Sequence, residues 1–393
     1  MTEKLIKIIK NAKVYSPEYI GKKDILITGN TISQIADLIS LNSTTVEHEV
    51  IDIDGRTLIP GLIDQHVHVT GGGGEGGFSS RIAPIGANKL ALGGVTTVLG
   101  LLGTDGTTRN VADLFGHTNR LCESGLTAFM LTGSYEYPTV TLTGSVKQDI
   151  IFIDRIIGVK TAISDHRASF MTYAELANLA SISRTAGMIS GKAGIVTIHM
   201  GDGDDKLNMI YEVLKKTSIP IKHFVPTHLN RNSELMAESV KYGKMGGYLD
   251  YSAVPLKEEV KDITAGTAVK YALENKVSED LITMSSDGNG SWSTYDEAGK
   301  LKKIGSSNPQ DLFAELRHLV INKVISIETA LKAVTSNPAR VIGLYPKKGT
   351  IMEQSDADMI IIDSDFNVES VIAKGRFLVK EGIFNPAKPI QNY

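Results

Sequence analysis

The chain has 393 residues, a formal net charge of −3 at pH 7 and a hydrophobic content of 42%. This composition is typical of a globular protein with a large core, and the balanced charge argues against nucleic acid or an anionic membrane as a partner. The longest uncharged stretch, residues 90–104, is shorter than the ~20 apolar residues that span a membrane. A single cysteine, Cys122, excludes an internal disulfide, so we expect a cytoplasmic protein in which Cys122 is a packing residue.

The first part of the chain predicts short β-strands separated by turns. The strand-like segments are Lys4–Ile9, Asp24–Ile27 and Val50–Ile53. Gly29-Asn30 and Asp54-Gly55 are turn sequences that follow the second and third of these segments. Three short strands are too few to enclose a core of their own.

The central part of the chain alternates apolar strand-like runs with helical patterns. Eight runs are strand-like: Thr57–Asp64, Thr96–Leu102, Thr127–Leu131, Ile156–Ile163, Gly194–His199, Lys222–Thr227, Gly247–Tyr251 and Leu281–Ser285. Helical patterns between them include Val111–Ser124, Tyr173–Ala186, Leu207–Lys216 and Ala265–Glu274. Apolar strands alternating with helices predict a parallel sheet, and eight units match an α/β fold of the (β/α)₈ TIM-barrel type, which takes about 250 residues. A doubly wound open sheet is the alternative, but no G-x-G-x-x-G motif follows the first strand.

The last part of the chain again predicts β-strands. These strands are Asp358–Ile362, Val368–Ala373 and Gly375–Val379. We therefore predict a small discontinuous β domain, similar to a sandwich, formed by residues 1–57 and 346–393. Residues 58–345 would form the barrel.

Polar residues with metal-binding or acid–base chemistry lie at the ends of the first, fourth, fifth, sixth and eighth strand-like runs. They are His66, His68, Lys160, His199, His228 and Asp287. Each has an ordinary explanation, because a lone histidine is more often structural, Asp-Gly is a common turn and a lysine can reach solvent from a barrel rim. Their combination is not explained in this way, since the carboxyl ends of barrel strands meet at the catalytic face. We predict that the six side chains point into one cup.

This order of residues resembles the amidohydrolase superfamily, whose binuclear members carry H-x-H on strand 1, lysine on strand 4, histidines on strands 5 and 6, and aspartate on strand 8. The resemblance includes residues 58–64, which lead into the H-x-H motif, and the flanking β domain. It implies two divalent ions, with Zn²⁺ as the expected metal, held by all six residues. It also implies that CO₂ carboxylates Lys160 to a bridging carbamate. Two such ions can hold a bridging hydroxide that attacks a substrate carbonyl.

Several loop segments are similar to the isoaspartyl dipeptidases of that superfamily. They are residues 71–75, 100–105, 131–135, 163–167, 227–232 and 285–291. The resemblance implies hydrolysis of β-aspartyl dipeptides, with Glu75 binding the substrate ammonium and Arg167 and Arg231 binding carboxylates. Further substrate hydrogen bonds are implied for Gly73, Thr104, Tyr135 and Ser291. The glycine-rich residues 71–77, which could otherwise be a linker, then become a substrate loop.

Two catalytic roles and an assembly state also follow from the resemblance. Tyr135 would donate a hydrogen bond to the oxyanion, and Asp287 would act as general base and then as general acid. A homo-oligomer is expected, with an octamer as one form. A cyclic amidohydrolase, similar to dihydropyrimidinase or dihydroorotase, and an inactive homologue that serves as an interaction protein remain the alternatives.

The remaining histidines are interpreted as structural. His48, His117, His223 and His318 lie in loop-like or helical stretches away from the strand ends. His166 is next to Arg167 and is at most an outer residue of the site.

Overall fold

The computed structural model describes residues 4–41, 47–253, 263–296 and 300–388. The first strands are β1 (Ile6–Tyr15), β2 (Tyr19–Thr28), β3 (Thr31–Ala36), β4 (Glu49–Asp52) and β5 (Thr57–Pro60). In the described residues, no helix is both long enough and apolar enough to cross a bilayer.

The central part of the chain contains parallel strands connected largely by helices. Six strands form one parallel sheet: β6 (Leu62–Val67), β7 (Val95–Gly100), β8 (Thr127–Thr132), β9 (Ile156–Ile163), β10 (Ile195–Met200) and β11 (Phe224–Thr227). A parallel pair, β12 (Leu249–Ser252) and β13 (Ile282–Ser285), follows. The helices are α1 (Ala87–Leu92), α2 (Val111–Glu123), α3 (Val146–Phe152), α4 (Tyr173–Ser190), α5 (Asn208–Lys216), α6 (Ser233–Lys244), α7 (Ala265–Glu274), α8 (Asp311–Ile321), α9 (Ile327–Val334) and α10 (Ser336–Val341). The fold is therefore α/β, with a parallel half-barrel sheet of the TIM-barrel type.

Strands from both ends of the chain share one nine-stranded sheet. After the antiparallel hairpin of β14 (Ser291–Tyr295) and β15 (Leu301–Ser306), the last strands are β16 (Met359–Ile362), β17 (Val368–Ala373), β18 (Arg376–Lys380) and β19 (Ile383–Phe384). The order is β19-β18-β17-β16-β5-β1-β2-β3, with β4 on β1, and the two ends meet where β16 pairs antiparallel with β5. The sandwich-like shape and the domain limits remain predictions.

The predicted first barrel strand, Thr57–Asp64, is wrong as a single element. It is divided into β5, in the terminal sheet, and β6, in the parallel sheet. Pro60 has no backbone N–H for a ladder, and the Gly61 N–H donates to the Asp358 carbonyl at 2.9 Å. A Cβ at Gly61 would lie 2.3 Å from Thr96 Oγ1, so glycine allows the chain to pass between the two sheets.

The floor of the cup is apolar. Ala339 and Val341 of α10 pack against a buried apolar cluster to which each of the strands β6 to β11 contributes one side chain. These side chains are Ile63, Leu99, Leu131, Ile157, Ile195 and Val225. Successive residues of a strand face opposite sides. In β10, Thr197 and His199 therefore continue on the same face as Ile195, which places His199 above the apolar floor.

Candidate active site

The structure brings the six predicted strand-end residues together. His66 Nε2 and His68 Nε2 lie 3.5 and 3.1 Å from Asp287 Oδ1. The Lys160 Nζ is 3.4 Å from His66 Nε2. The ring of His228 lies 4.9 Å from that of His66 and 4.7 Å from that of His199, measured between centroids. These side chains form a continuous group at the carboxyl ends of the strands.

The backbone turns sharply at two of these positions. His228 has a φ of 62° and Asp287 a φ of 51°, both in the left-handed region that non-glycine residues rarely adopt. Among the described residues, the buried Asp287 Oδ1 has no hydrogen-bond partner. The donor atoms of His66, His68 and Asp287 lie within 4.8 Å of one another. Two imidazoles and an unsatisfied carboxylate oxygen fit a borderline divalent ion such as Zn²⁺.

Burial controls the protonation of the cluster. It lowers the pKa of His66 well below its usual value, and the nearby Lys160 cation acts in the same direction. Burial is also the largest cause of the low pKa of His199 and of His228. Neutral imidazoles are the form that binds metal ions.

Lys160 is fully buried, and burial lowers its pKa to about 7. In the described part of the chain, no carboxylate lies within ion-pair distance of its amine. A buried ammonium without such a partner is costly. The side chain is therefore suited to a neutral or chemically modified form.

Polar neighbours orient two of the histidines. His199 Nε2 is 2.8 Å from Asp165 Oδ2, and the Tyr135 hydroxyl contacts the other ring nitrogen. His228 Nδ1 lies 2.6 Å from Ser252 Oγ. A carboxylate on one imidazole nitrogen directs the lone pair of the other nitrogen into the site.

The sequence prediction did not include Asp165. Although burial opposes it, hydrogen bonds from Arg167 and His199 hold the pKa of this carboxyl far below its usual value. Its neighbour His166 is exposed. In the sequence, Asp165 is marked by its place two residues beyond the end of β9 and by its position in residues 163–167, one of the segments that resemble the isoaspartyl dipeptidases.

The substrate loop places Glu75 at the edge of the histidine cluster. Glu75 Oε1 accepts hydrogen bonds from Ser291 Oγ at 2.9 Å and from Thr104 Oγ1 at 3.4 Å. Its other oxygen, Oε2, is buried and has no hydrogen-bond partner among the residues that the structure describes. One carboxylate oxygen therefore remains free for a cation.

A cavity joins the substrate loop to the histidine cluster. It is lined by His68, Gly71, Gly72, Gly73, Glu75, Gly103, Thr104, Asp105, Arg109, Tyr135, His199, Arg231, Asp287 and Ser291. All predicted substrate-binding residues except Arg167 line this cavity. The apolar floor lies on the far side of the histidines.

The two predicted carboxylate-binding arginines differ in their surroundings. Arg167 makes a two-pronged ion pair with Asp165, at 2.9 and 2.7 Å, and its Nη1 is 3.5 Å from Glu75 Oε1. Within the described part of the chain, the buried Arg231 Nε has no hydrogen bond, and its ion-pair contact with the exposed Asp202 is long, at 3.8 Å. Arg231 is thus more open to a ligand than Arg167.

A polar network on β12 ties several strands together beneath the site. The buried Asp250 accepts hydrogen bonds at 2.7 Å from Gln65, Thr227 and Ser285, and at 2.8 Å from Thr283. These residues belong to β6, β11 and β13. The sequence prediction did not identify this network, because none of these residue types is distinctive by itself.

The other histidines and the cysteine lie outside the cluster. His117 is on α2, His318 is on α8 and His223 precedes β11, where it contacts Arg184. Cys122 is partly buried against the apolar core, with its Sγ 3.5 Å from the Ala128 carbonyl.

The profile of the amidohydrolase family matches residues 57–378, and the chain belongs to this family. Among solved structures, it is similar to a β-aspartyl dipeptidase from Fervidobacterium islandicum AW-1 in complex with the β-Asp-Leu dipeptide. The identity is 42% over 100% of both chains, with a TM-score of 0.94. A dihydropyrimidinase from Brevibacillus agri NCHU1002 has a TM-score of 0.66 at 18% identity over 97% of this chain and 96% of that one, and shares the fold.

Curated relatives with other activities match over part of their lengths. A dihydroorotase from Staphylococcus epidermidis is 35% identical over 116 residues, which are 30% of this chain and 25% of the dihydroorotase. An adenine deaminase from Clostridium perfringens is 25% identical over 98% of this chain and 60% of the deaminase. The chain therefore spans a quarter to three-fifths of these two relatives.

Proposed function

We propose that this chain hydrolyses β-aspartyl dipeptides to aspartate and a second amino acid. The observation that carries the proposal is the free, buried Oε2 of Glu75 in a cavity shared with His68 and Asp287. A β-aspartyl linkage leaves an α-ammonium group and an α-carboxylate at one end of the substrate, and a buried carboxylate is a specific partner for that ammonium. The F. islandicum enzyme, which is similar over its whole length, was crystallised with β-Asp-Leu.

Two divalent metal ions, proposed to be Zn²⁺, would polarise the scissile carbonyl and lower the pKa of water when bound. The residues that would hold them are His66, His68, Lys160, His199, His228 and Asp287. The low pKa of Lys160, about 7, supports a neutral amine that adds to CO₂. Formation of the N–C bond and loss of one proton from that neutral amine would give a carbamate with two ligand oxygens.

The side chains in the cavity divide the remaining tasks. Glu75 binds the ammonium, while Arg231 binds a substrate carboxylate through its open guanidinium group. Arg167 supports this end of the site through its contacts with Asp165 and Glu75. Further hydrogen bonds to the substrate come from Gly73, Thr104 and Ser291.

Two residues act on the reacting atoms. Tyr135 donates a hydrogen bond to the oxygen that becomes negative, and burial raises the pKa of its phenol, so the proton stays on that group. Asp287 accepts a proton from the attacking water and transfers it to the leaving amine.

The finer architecture and the cellular setting belong to the same proposal. The backbone bridge between Val67 and Gly288, and the hydrogen bond from Leu229 to the Asp250 carbonyl at 3.2 Å, support eight strands closed into a (β/α)₈ barrel. The shared sheet of both chain ends supports a small β domain beside it. For the setting we propose the cytoplasm and a homo-oligomer, with an octamer as the form implied by the family resemblance.

The substrate assignment predicts a strong preference for the β-linked dipeptide. Purified protein supplied with Zn²⁺ and bicarbonate should cleave β-Asp-Leu at least about 10²-fold more efficiently than α-Asp-Leu or hydantoin, because a site built for charged groups rejects analogues that misplace them. Initial rates of amine release for the two dipeptides and of ring opening for hydantoin measure this preference. Hydantoin cleavage without β-Asp-Leu cleavage would favour the cyclic amidohydrolase alternative. Metal-loaded protein that cleaves none of the three would favour the inactive homologue.

Loss of the Tyr135 hydroxyl should slow the chemical step. Tyr135→Phe is expected to lower kcat for β-Asp-Leu about 10²- to 10³-fold with little change in KM, as for removal of an oxyanion donor. Tyr242→Phe is the matched control, since the buried Tyr242 hydroxyl donates to the Phe224 and Ile221 carbonyls away from the cavity. Steady-state kinetics should show an unchanged kcat for that control. Equal kcat values for wild type and Tyr135→Phe would contradict the assigned role.

A further inference from the structure

Almost no apolar side-chain contacts hold the substrate loop in position. Residues 71–77 consist of six glycines and Glu75, so the segment buries no apolar side chain. Phe78, the next residue, is 78% exposed. Glycine also has the largest conformational entropy to lose when it is ordered. The place of Glu75 must therefore depend on polar contacts from outside the loop.

Arg109 supplies three such contacts. Its side chain is buried, and its Nε, Nη1 and Nη2 donate to the carbonyls of Thr70, Gly73 and Ile82 at 3.2, 3.0 and 3.0 Å. These acceptors lie before, within and after the glycine-rich segment. A planar guanidinium group that bonds to three carbonyls fixes their relative positions in a way that a flexible ammonium group cannot.

The loop is folded so tightly that it has little alternative to this arrangement. Gly73 has a φ of +77°, and a Cβ there would lie 2.5 Å from the Ser80 carbonyl oxygen. At Gly71 a Cβ would lie 2.1 Å from the Ile82 oxygen. The backbone at Gly71 and Gly73 thus packs closely against carbonyl oxygens of the returning arm of the loop, and the Arg109 guanidinium donates to carbonyls on both arms.

The segment that carries Arg109 also reaches Glu75. Thr104 Oγ1 lies 3.4 Å from Glu75 Oε1, and Arg81 on the far arm donates to Thr108 Oγ1 at 2.9 Å. Residues 104–109 therefore hold the loop near Glu75 and at both of its arms. We propose that Arg109 is a positioning residue that sets the place of Glu75 in the cavity and so determines recognition of the substrate ammonium. The inference rests on the proposed function.

Direct binding of a substrate carboxylate is the competing role for Arg109, since its side chain lines the cavity. All three of its nitrogens already donate to loop carbonyls, and Asp105 Oδ2 is 3.7 Å from Nη1. A substrate carboxylate would have to compete with these contacts. The two roles differ in the part of the substrate that they serve, and substrates with and without the ammonium separate them.

Arg109→Lys tests the proposal, because it keeps the cation and removes the three-way fork. The measurement is kcat/KM for β-Asp-Leu and for succinyl-Leu, which lacks the ammonium group and keeps both carboxylates. We expect about a tenfold or larger fall for β-Asp-Leu, mainly through KM, the size of one charge-assisted hydrogen bond. For succinyl-Leu we expect a change of less than about twofold, measured as an inhibition constant if wild type does not cleave it.

Arg120→Lys is the matched control. Arg120 also donates from a guanidinium Nη2 to a loop carbonyl, that of Ile85, at 2.6 Å, but it does not line the cavity. The kcat/KM values of Arg120→Lys should equal those of wild type for both substrates. Taking the ratio of the two substrates on one sample cancels any loss of folded protein, and Arg109→Gln serves as the second variant if Arg109→Lys is not obtained in folded form.

A double-variant comparison shows whether Arg109 acts through Glu75. In a Glu75→Gln background, adding Arg109→Lys should lower β-Asp-Leu turnover by less than about twofold, since coupled residues are not additive. Three results would each overturn the inference and leave the proposed function standing. They are equal losses of kcat/KM for both substrates in Arg109→Lys, additive losses in the double variant, and an unchanged preference of Arg109→Lys for β-Asp-Leu over succinyl-Leu. Wild type that does not prefer β-Asp-Leu to succinyl-Leu would overturn the proposed function, and this inference with it.

Discussion

Lys160→Met is expected to abolish both metal binding and hydrolysis. Methionine is one atom shorter than lysine and fills most of its volume in this fully buried position, but it has no amine to react with CO₂. Because metal polarisation of a carbonyl is worth several kcal/mol, the activity on β-Asp-Leu should fall by about 10³-fold or more. Metal content measured by plasma mass spectrometry should fall together with the activity.

A carbamate on Lys160 leads to a second prediction, which would not follow if Lys160 were an ordinary metal ligand. Wild-type protein stripped of metal in CO₂-free buffer should regain full activity only when Zn²⁺ and bicarbonate are both added, whereas Lys160→Met should respond to neither. Lys244→Met, at an exposed position of α6, controls for the substitution itself. Full metal content and activity in Lys160→Met, or reactivation of wild type without bicarbonate, would contradict a bridging carbamate.

Asp287→Asn should separate proton transfer from binding. Asparagine keeps one oxygen near His68 and tolerates the left-handed backbone at this position, but the amide cannot accept and return a proton. We expect kcat to fall about 10²- to 10⁴-fold, as for loss of a general acid–base group, with a much smaller change in KM. Steady-state kinetics and metal analysis on the same preparation measure both effects.

A second aspartate with a left-handed backbone conformation offers a matched control for Asp287→Asn. Asp54 is exposed, has a φ of 50° and precedes a glycine, as Asp287 does. Asp54→Asn should leave kcat, KM and metal content unchanged. If Asp287→Asn retained the wild-type kcat, the proton would have to move through another group, and the assignment of Asp287 as base and acid would be wrong.

Much of the site could be predicted from the sequence because barrel strands repeat along the chain. Each βα unit returns the chain to the same face, so polar residues at successive strand ends are neighbours even when they are far apart in sequence. This regularity predicts from the sequence alone that His66, Lys160 and His199 lie in one cup. The glycine-rich segment was located in the same way, because it directly follows the H-x-H motif.

Contacts made across the fold could not be predicted in this way. Asp165 is distinguished from other loop aspartates by its contact with His199, which comes from β10, 34 residues away. Arg109 becomes informative only when its guanidinium is seen against three carbonyls of another loop. The division of Thr57–Asp64 between two sheets also depends on β16, which lies about 300 residues later in the chain.

The sequence by itself determined the α/β class of the fold, the identity of the six clustered side chains and the position of the glycine-rich loop beside them. Those features depend on strand periodicity and on residue chemistry, which are local properties. Tertiary structure alone decided which polar atoms are satisfied and which are left free, such as Glu75 Oε2 and Arg231 Nε. Hydrogen-bond satisfaction depends on which distant segments meet, and a linear pattern does not contain that information.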